Sequence, residues 1–144
     1  MVARLSRHLE VALAEVDLSP SQYRILGFLD QGGAAASALA EKLAVTRPSI
    51  TAVVDGLVSR GLVERQSDPD DRRRVGHVLT AQGRKVLTQA DDALDHRLSE
   101  IASCAPDRSE ADVLQGLDLL RHALDGHWAA KVAPVIAAET GATA

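Results

Sequence analysis

Three consecutive arginines, Arg72, Arg73 and Arg74, follow a turn-forming cluster at residues 67–71. Because proline, serine and aspartate favour tight turns, we expect the arginines at the exposed tip of a hairpin. The planar guanidinium fork suits phosphate oxygens and guanine edges, and a narrow minor groove attracts it. The run therefore indicates duplex nucleic acid as a partner, with a solvated charged turn as the alternative.

A predicted helix with one small, polar face precedes this hairpin. Thr46 is a good N-cap, Pro48 fits the first turn, and Gly61 would end the helix. One side carries the apolar residues Ile50, Val53, Val54, Leu57 and Val58. The opposite side carries Arg47, Ser49, Thr51, Ala52, Asp55 and Ser59. Without bulky apolar side chains, that face can enter a major groove about 12 Å wide, with the first-turn N–H groups open to a phosphate.

Five further helices and two strands are needed to position these two features. Apolar spacings of three and four predict the helices, alternation predicts the strands, and Ser19 and Thr80 are expected N-caps. In chain order the elements are helices 2–16, 20–31, 36–43 and 46–60, strands 62–66 and 75–79, and helices 81–102 and 109–135. This order predicts a mostly α-helical fold with a small β-hairpin wing (α+β), a winged helix-turn-helix.

The net charge taken alone argues against a nucleic-acid partner. The chain has 144 residues, a formal net charge of −4 and only 2% aromatic residues. The charge is uneven, however, because residues 46–85 carry +3 and residues 86–144 carry −6. The scarcity of aromatic residues argues against base stacking on single strands and favours duplex readout by helix and arginine.

Several other classes of protein lack their signatures in this sequence. No apolar run approaches the roughly 20 residues of a membrane span, and the N-terminus lacks a signal-peptide stretch, so we expect a cytoplasmic protein without a membrane partner. No nucleophile–base pair, glycine-rich phosphate loop or ligand-spaced histidine set appears. We therefore expect neither an enzyme nor a metal or other cofactor.

Three motifs give the chain a resemblance to a known family. They are LVER at residues 62–65, DPDDRR at residues 68–73 and LTAQG at residues 79–83. Together with residues 19–26 and 39–57, they closely resemble the MarR (multiple antibiotic resistance regulator) family of transcription regulators. The resemblance implies a dimeric, mostly helical, sequence-specific DNA-binding regulator, with repression relieved by a ligand as the expected mode of action.

The resemblance also implies a functional division of the chain. Residues 1–18 and 86–138 would form the helical dimerisation region, residues 19–85 the winged DNA-binding lobe, and residues 139–144 a flexible tail. A homodimer presents two recognition helices about one DNA turn apart, so the operator is expected to be a pseudo-palindrome.

Individual residues acquire roles from the resemblance and from the pattern above. The expected DNA contacts are Thr46, Arg47, Pro48, Ser49, Thr51, Arg72, Arg73 and Arg74. Asp55 and Asp71 resemble the family's positions that orient wing arginines through ion pairs. A site for a small aromatic or phenolic effector could be lined by His8, Val11, Tyr23 and Leu26, which are equally candidates for ordinary core residues. His77 departs from the family pattern, which has an aliphatic residue there, and suggests a looser wing base.

Other interpretations stay open at this point. Cys104 could sense oxidants, although it has no Lys or Arg nearer in sequence than Arg108 to activate the thiol, and an incidental thiol is the alternative. His96 and Glu100 share a helix face and could bind zinc, but such a pair is also common on ordinary surfaces. The acidic last third would suit an interaction module that has lost DNA binding, against which stands the retained arginine run.

Overall fold

The structure, a computed structural model, describes residues 1–31, 47–67, 75–106, 108–127 and 130, with residues 47–49, 67 and 75 described by their backbone. Its helices and strands in chain order are α1 (Val2–Glu15), α2 (Pro20–Asp30), α3 (Arg47–Ser59), β1 (Val63–Ser67), β2 (Val75–Leu79), α4 (Ala81–Ser103) and α5 (Glu110–His127). The prediction of a mostly helical fold with a small β wing is confirmed. The helix predicted over 36–43 and the tail over 139–144 lie outside the described residues.

The ends of the helices follow from local sequence signals. Ser19 caps α2 through a capping box, in which its hydroxyl accepts from the Gln22 N–H and the Gln22 side chain accepts from the Ser19 N–H. The hydroxyl of Thr80 accepts from the Gly83 N–H at the start of α4, 3.0 Å away. Both predicted N-caps are therefore confirmed, and each satisfies a donor that the first helical turn leaves unpaired.

The end of α3 determines where the wing begins. Gly61 has φ +68°, its N–H donates to Val58, and the Leu62 N–H donates to Leu57. This Schellman arrangement favours glycine because a Cβ is strained at positive φ. Leu62 therefore belongs to the helix stop, and β1 begins at Val63, one residue later than the alternation predicts.

The wing is a two-stranded antiparallel hairpin made by β1 and β2. Val63 lies opposite Leu79, and Arg65 lies opposite His77. Since side chains alternate across a strand, these two pairs share one face of the hairpin. Val63 and Leu79 are buried, so this is the face that packs toward the helices.

An aliphatic core holds α2, α3, the wing and α4 together. Tyr23 and Phe28 are only partly buried against it. The buried cluster consists of Leu13, Leu18, Ile25, Leu26, Leu29, Ile50, Val54, Leu57, Leu62, Val63, Leu79, Val86, Leu87 and Ala90. At about 25 cal/mol per Å² of buried apolar surface, such a cluster is the main stabilising term of the fold.

The chain divides into two compact units, Met1–Arg97 and Leu98–Ala144, with the boundary inside α4. The aliphatic core belongs to the first unit. In the second unit, none of the described residues of α5 is buried. Across the helices that the structure describes, we find none whose length and apolarity would suffice to span a membrane.

Candidate nucleic-acid interface

Helix α3 has one buried and one exposed face, as its pattern predicts. Ile50, Val54 and Leu57 are buried in the core, and Val53 and Val58 are partly buried. On the other side, Thr51, Ala52, Asp55 and Ser59 are exposed. The exposed face carries only small or polar side chains, so a groove of duplex DNA could approach the backbone closely.

The predicted DNA contacts are only partly within the described residues. The backbone of Arg47, Pro48 and Ser49 forms the first turn of α3, and Thr51 is exposed on the next turn. The structure thus brings these four positions together at the N-terminal end of one helix. Thr46, Asp71, Arg72, Arg73 and Arg74 lie outside the described residues.

Asp55 makes an ion pair that connects α3 to the wing. Its Oδ1 lies 2.6 Å from Nη2 of Arg65 on β1, and both side chains are about half exposed. Asp55 was predicted to orient a wing arginine. In the sequence pattern Arg65 stands only in the LVER motif and in the net charge of +3 over residues 46–85. Its alternation with buried Val63 was the available signal, because it places Arg65 on the helix-facing side of the hairpin.

His77 is a buried, ionisable residue beside this ion pair. It is 7% exposed and lies opposite Arg65 in the strand register. Among the described residues, no hydrogen-bond partner reaches its Nδ1. Burial is the main cause that lowers the pKa of His77 from its ordinary value; the Arg65 charge lowers it further and Asp55 opposes the shift.

The wing is joined to α4 by a close backbone contact. The Thr80 hydroxyl donates to the Gly61 carbonyl at 2.7 Å, and the Thr80 N–H donates to the Leu62 carbonyl at 3.1 Å. A Cβ at Gly83 would collide with that same Leu62 carbonyl. The glycine of the LTAQG motif is therefore required by the close approach of two backbones.

Polar contacts around the core connect α4 to the first two helices. The Tyr23 hydroxyl donates to Asp91 at 2.7 Å, and burial followed by this hydrogen bond raises the pKa of Tyr23. Arg84 pairs with Asp30 at 3.1 Å, and Arg97 pairs with Glu15 at 2.9 Å. These contacts connect the part of α4 up to Arg97 to α1 and α2.

The four residues proposed for an effector site differ in their surroundings. His8 and Val11 are exposed on α1, and Tyr23 is half-buried with its hydroxyl bonded to Asp91. Leu26 is completely buried in the core. The surface part of this set is therefore formed by α1 and the exposed edge of Tyr23.

The sites weighed for redox or metal chemistry have simple environments. Cys104 is exposed, and its thiol donates to the Glu100 carbonyl at 3.4 Å. Within the described ranges, no group of three or more His, Cys, Asp or Glu side chains is arranged to hold a metal ion.

Comparison with known proteins gives matches over most of the first unit. The model of the MarR family matches residues 16–74. The HTH-type transcriptional regulator FarR of Neisseria gonorrhoeae is 31% identical over 90 residues, or 62% of each chain. The uncharacterized HTH-type transcriptional regulator Mb0904 of Mycobacterium bovis is 33% identical over 115 residues, covering 79% of this chain and 80% of that protein. The chain thus spans less than two thirds of FarR but most of Mb0904.

One solved structure extends this similarity to the fold. A mutant of MarR from E. coli, complexed with operator DNA, has a TM-score of 0.65 and 24% identity. The match covers 85% of this chain and 86% of that one. The two chains therefore share a fold.

Proposed function

Because this chain belongs to the MarR family of transcription regulators, we propose that it binds a specific duplex DNA operator as a homodimer and acts in the cytoplasm as a repressor. In this proposal α3 lies in the major groove and the hairpin tip reaches the minor groove. The function is one of binding rather than catalysis, as the names of the regulators FarR and Mb0904 suggest.

The two faces of α3 carry this proposal. Ile50, Val54 and Leu57 anchor the helix in the core, while the small exposed face is free of large apolar side chains. A helix held this rigidly loses little conformational entropy on docking. Arg47, Pro48, Ser49 and Thr51, together with Thr46, are the proposed contacts at its N-terminal end, where the helix dipole favours phosphate.

The wing supplies the second proposed contact. Arg72, Arg73 and Arg74 immediately precede β2 in the chain, and the ion pair between Asp55 and Arg65 connects β1 to α3. A fixed wing base limits the positions that the hairpin tip can reach. We therefore assign Asp55 a positioning role for the wing, and extend the same proposal to Asp71.

The dimer proposal rests on apolar surface in the second unit. Leu119, Leu120 and Leu124 of α5 are 65%, 50% and 60% exposed. Three exposed leucines on one helix are unusual for a monomer surface and typical of an interface. In the proposal, residues 1–18 and 86–138 form the interface between two copies, and residues 19–85 form each DNA-binding lobe.

Relief of repression by a ligand completes the proposal. In the hydrogen bond between Tyr23 and Asp91, a carboxylate on α4 accepts from the phenolic hydroxyl of a residue on α2. We propose that a small aromatic or phenolic compound competes for this position, with His8, Val11 and Leu26 as the other candidate contacts. Addition of benzoate or phenol should then weaken operator binding, and no change with either compound contradicts this part.

A fluorescence anisotropy titration with DNA from the chain's own promoter tests the proposal. The unchanged protein should bind this DNA more tightly than a scrambled duplex, with affinity falling steeply as salt rises. Changing both Arg72→Ala and Arg73→Ala should weaken binding by about tenfold or more and lower the salt slope by about 2 for each wing that contacts the DNA.

A matched control separates specific contacts from the general loss of charge. Arg108→Ala removes one exposed positive charge from the second unit and should leave the affinity nearly unchanged. Equal affinity for promoter and scrambled DNA, or equal affinity of the arginine variants and the unchanged protein, would contradict the proposal.

A further inference from the structure

The base of the wing combines a buried imidazole with an ion pair that links two elements. His77 is 7% exposed on β2, on the same hairpin face as Arg65, Val63 and Leu79. Arg65 reaches from β1 to Asp55 on α3, with 2.6 Å between the charged atoms. One ionisable ring therefore lies directly beside the contact that fixes the wing against α3.

We propose that His77 makes the wing base sensitive to acid: the uncharged ring is compatible with the contact between Asp55 and Arg65, and the protonated ring displaces Arg65 from it. The consequence for DNA rests on the proposed function, because the contact positions the wing. The sensitivity itself is a property of the lobe with or without DNA.

The charged groups around His77 determine this behaviour. Arg65 from β1 repels a protonated ring, and Asp55 from α3 attracts it. Helix α2 also packs on β2. Its charged residues have other partners, since Arg24 donates a hydrogen bond to the Pro20 carbonyl and Asp30 forms an ion pair with Arg84 of α4. Within the part of the chain that the structure describes, Asp55 is thus the acceptor for which His77 and Arg65 would compete.

The unbonded nitrogen shows why protonation is costly in the present arrangement. A proton on Nδ1 would be a buried donor, and none of the described residues accepts a hydrogen bond from it. An unsatisfied buried donor is unfavourable, and a buried charge is more so. Protonation of the His77 ring becomes favourable only if Asp55 turns toward the ring or the hairpin moves to admit water. Both changes loosen the contact between the wing and α3.

The direction of the pH effect follows from linkage. The pKa of His77 is lowered in the folded lobe, whereas the unfolded chain has an ordinary histidine pKa near 6.5. Below that value the unfolded state binds a proton that the folded state does not, so stability rises with pH in this window. The folded lobe therefore loses stability as the pH falls through 6.5, until the lower folded pKa is reached.

Bound operator DNA should make protonation of His77 still less favourable than it is in the free folded protein. In the free protein the hairpin can move and hydrate the charged ring, but in the complex the groove holds the hairpin in place. Protonation is then less favourable in the complex than in the free protein, and affinity falls on acidification. An added positive charge acting only on phosphate would give the opposite sign.

The experiment compares the unchanged protein with His77→Val, since valine suits a strand and does not titrate. His77→Gln, which is polar and uncharged, is the second variant if valine disturbs the fold. His122→Gln, exposed on the side of α5 away from Leu120 and Leu124, controls for the removal of a histidine elsewhere. Urea unfolding and operator binding are measured at about pH 7.5 and about pH 5.5.

Between these pH values, the unfolding constant of the unchanged protein and of His122→Gln should rise about fivefold to tenfold more than that of either His77 variant. Their operator dissociation constants should likewise rise about threefold or more relative to the His77 variants. The same pH dependence in all four proteins, or tighter operator binding in acid that requires His77, overturns the inference. No operator complex at the higher pH contradicts the proposed function instead, and the unfolding comparison still decides the acid sensitivity.

Discussion

Helices α2 and α5 carry similar amphipathic patterns but end in opposite environments. Ile25, Leu26 and Leu29 of α2 are buried in the core of the first unit. On α5, the apolar residues Leu120 and Leu124 are at least half exposed, and no described residue of this helix is buried. The apolar face is covered within the chain in one case and left open in the other.

The difference indicates that a hydrophobic periodicity identifies a face and not what covers it. The sequence around α2 adds caps, a hairpin and a second apolar helix close in the chain, so the cover is local. On α5 the leucines Leu119, Leu120 and Leu124 are exposed, and we propose that a second copy of the chain covers them. Substitutions in the covered region and in the exposed one should therefore have different consequences.

The largest effect is expected at Gly83, where α4 meets the helix stop of α3. Gly83→Ala places a methyl group against the Leu62 carbonyl, so one backbone must move. Such overpacking against a backbone should lower the free energy of unfolding by about 3 kcal/mol. Urea denaturation followed by circular dichroism measures the change.

Gly27→Ala is the matched control for this substitution. Gly27 lies within α2, and its Cβ position has no atom within 4 Å. Alanine is the better helix former by about 1 kcal/mol, so this variant should be equally or more stable. If Gly83→Ala and Gly27→Ala have the same stability, the close contact between the wing base and α4 is not a constraint on the fold.

The second effect concerns the open face of α5. Changing Leu120→Gln and Leu124→Gln together removes two apolar side chains from each protomer's half of the proposed interface, worth at least about 3 kcal/mol. The dimer should dissociate about 100-fold more readily, while the urea midpoint of the first unit stays the same. Analytical ultracentrifugation over a range of concentrations measures the dissociation constant.

Gln115→Ala provides the control on the same helix. At 100° per residue, Gln115 lies on the side of α5 opposite Leu120 and Leu124. It should leave dimerisation unchanged. Two results would mean that a partner other than a second copy covers this face. One is an unchanged protein that is monomeric, and the other is equal dimer dissociation constants for the double leucine variant and Gln115→Ala.

The third effect is read from the single tyrosine of the chain. Tyr23 donates to Asp91, and its pKa is raised above the ordinary value of 10.0 by burial and by this hydrogen bond. Stability contributed by the raised pKa is present below pH 10 and is lost as the pH rises above it. Asp91→Asn should lower the pKa of Tyr23 and cost about 1 kcal/mol of stability.

Absorbance at the tyrosinate band during a pH titration reports Tyr23 alone. Asp92→Asn is the control, because Asp92 is exposed and is not among the groups that raise the pKa of Tyr23. An identical titration of Asp91→Asn and Asp92→Asn would show that the carboxylate does not hold the hydroxyl in solution.

Local signals explain which parts of the structure can be predicted from the sequence. Ser19, Thr80 and Gly61 act within a few residues of their own positions, and all three behave as their types predict. For the partner of Asp55 the local signal is incomplete: alternation with Val63 places Arg65 on the helix-facing side of the hairpin, but Arg65 meets Asp55 only because the strand packs beside α3. The burial of His77 likewise depends on which hairpin face meets the helices.

The smallest effect on stability, and the sharpest test of positioning, is expected at the ion pair between Asp55 and Arg65. Both side chains are about half exposed, and such pairs contribute about 0.5 kcal/mol to folding. A double-mutant cycle with Asp55→Asn and Arg65→Gln should therefore give a small coupling energy in urea unfolding that decreases with salt. If the pair positions the wing, either single variant should weaken operator binding about tenfold or more, which is a larger loss than the coupling energy in unfolding explains.

The double variant should then bind the operator no worse than the weaker-binding of the two single variants, because the second change removes a contact already lost. Additive losses of affinity would instead assign Arg65 and Asp55 separate roles at the DNA, and the wing would need no support from α3.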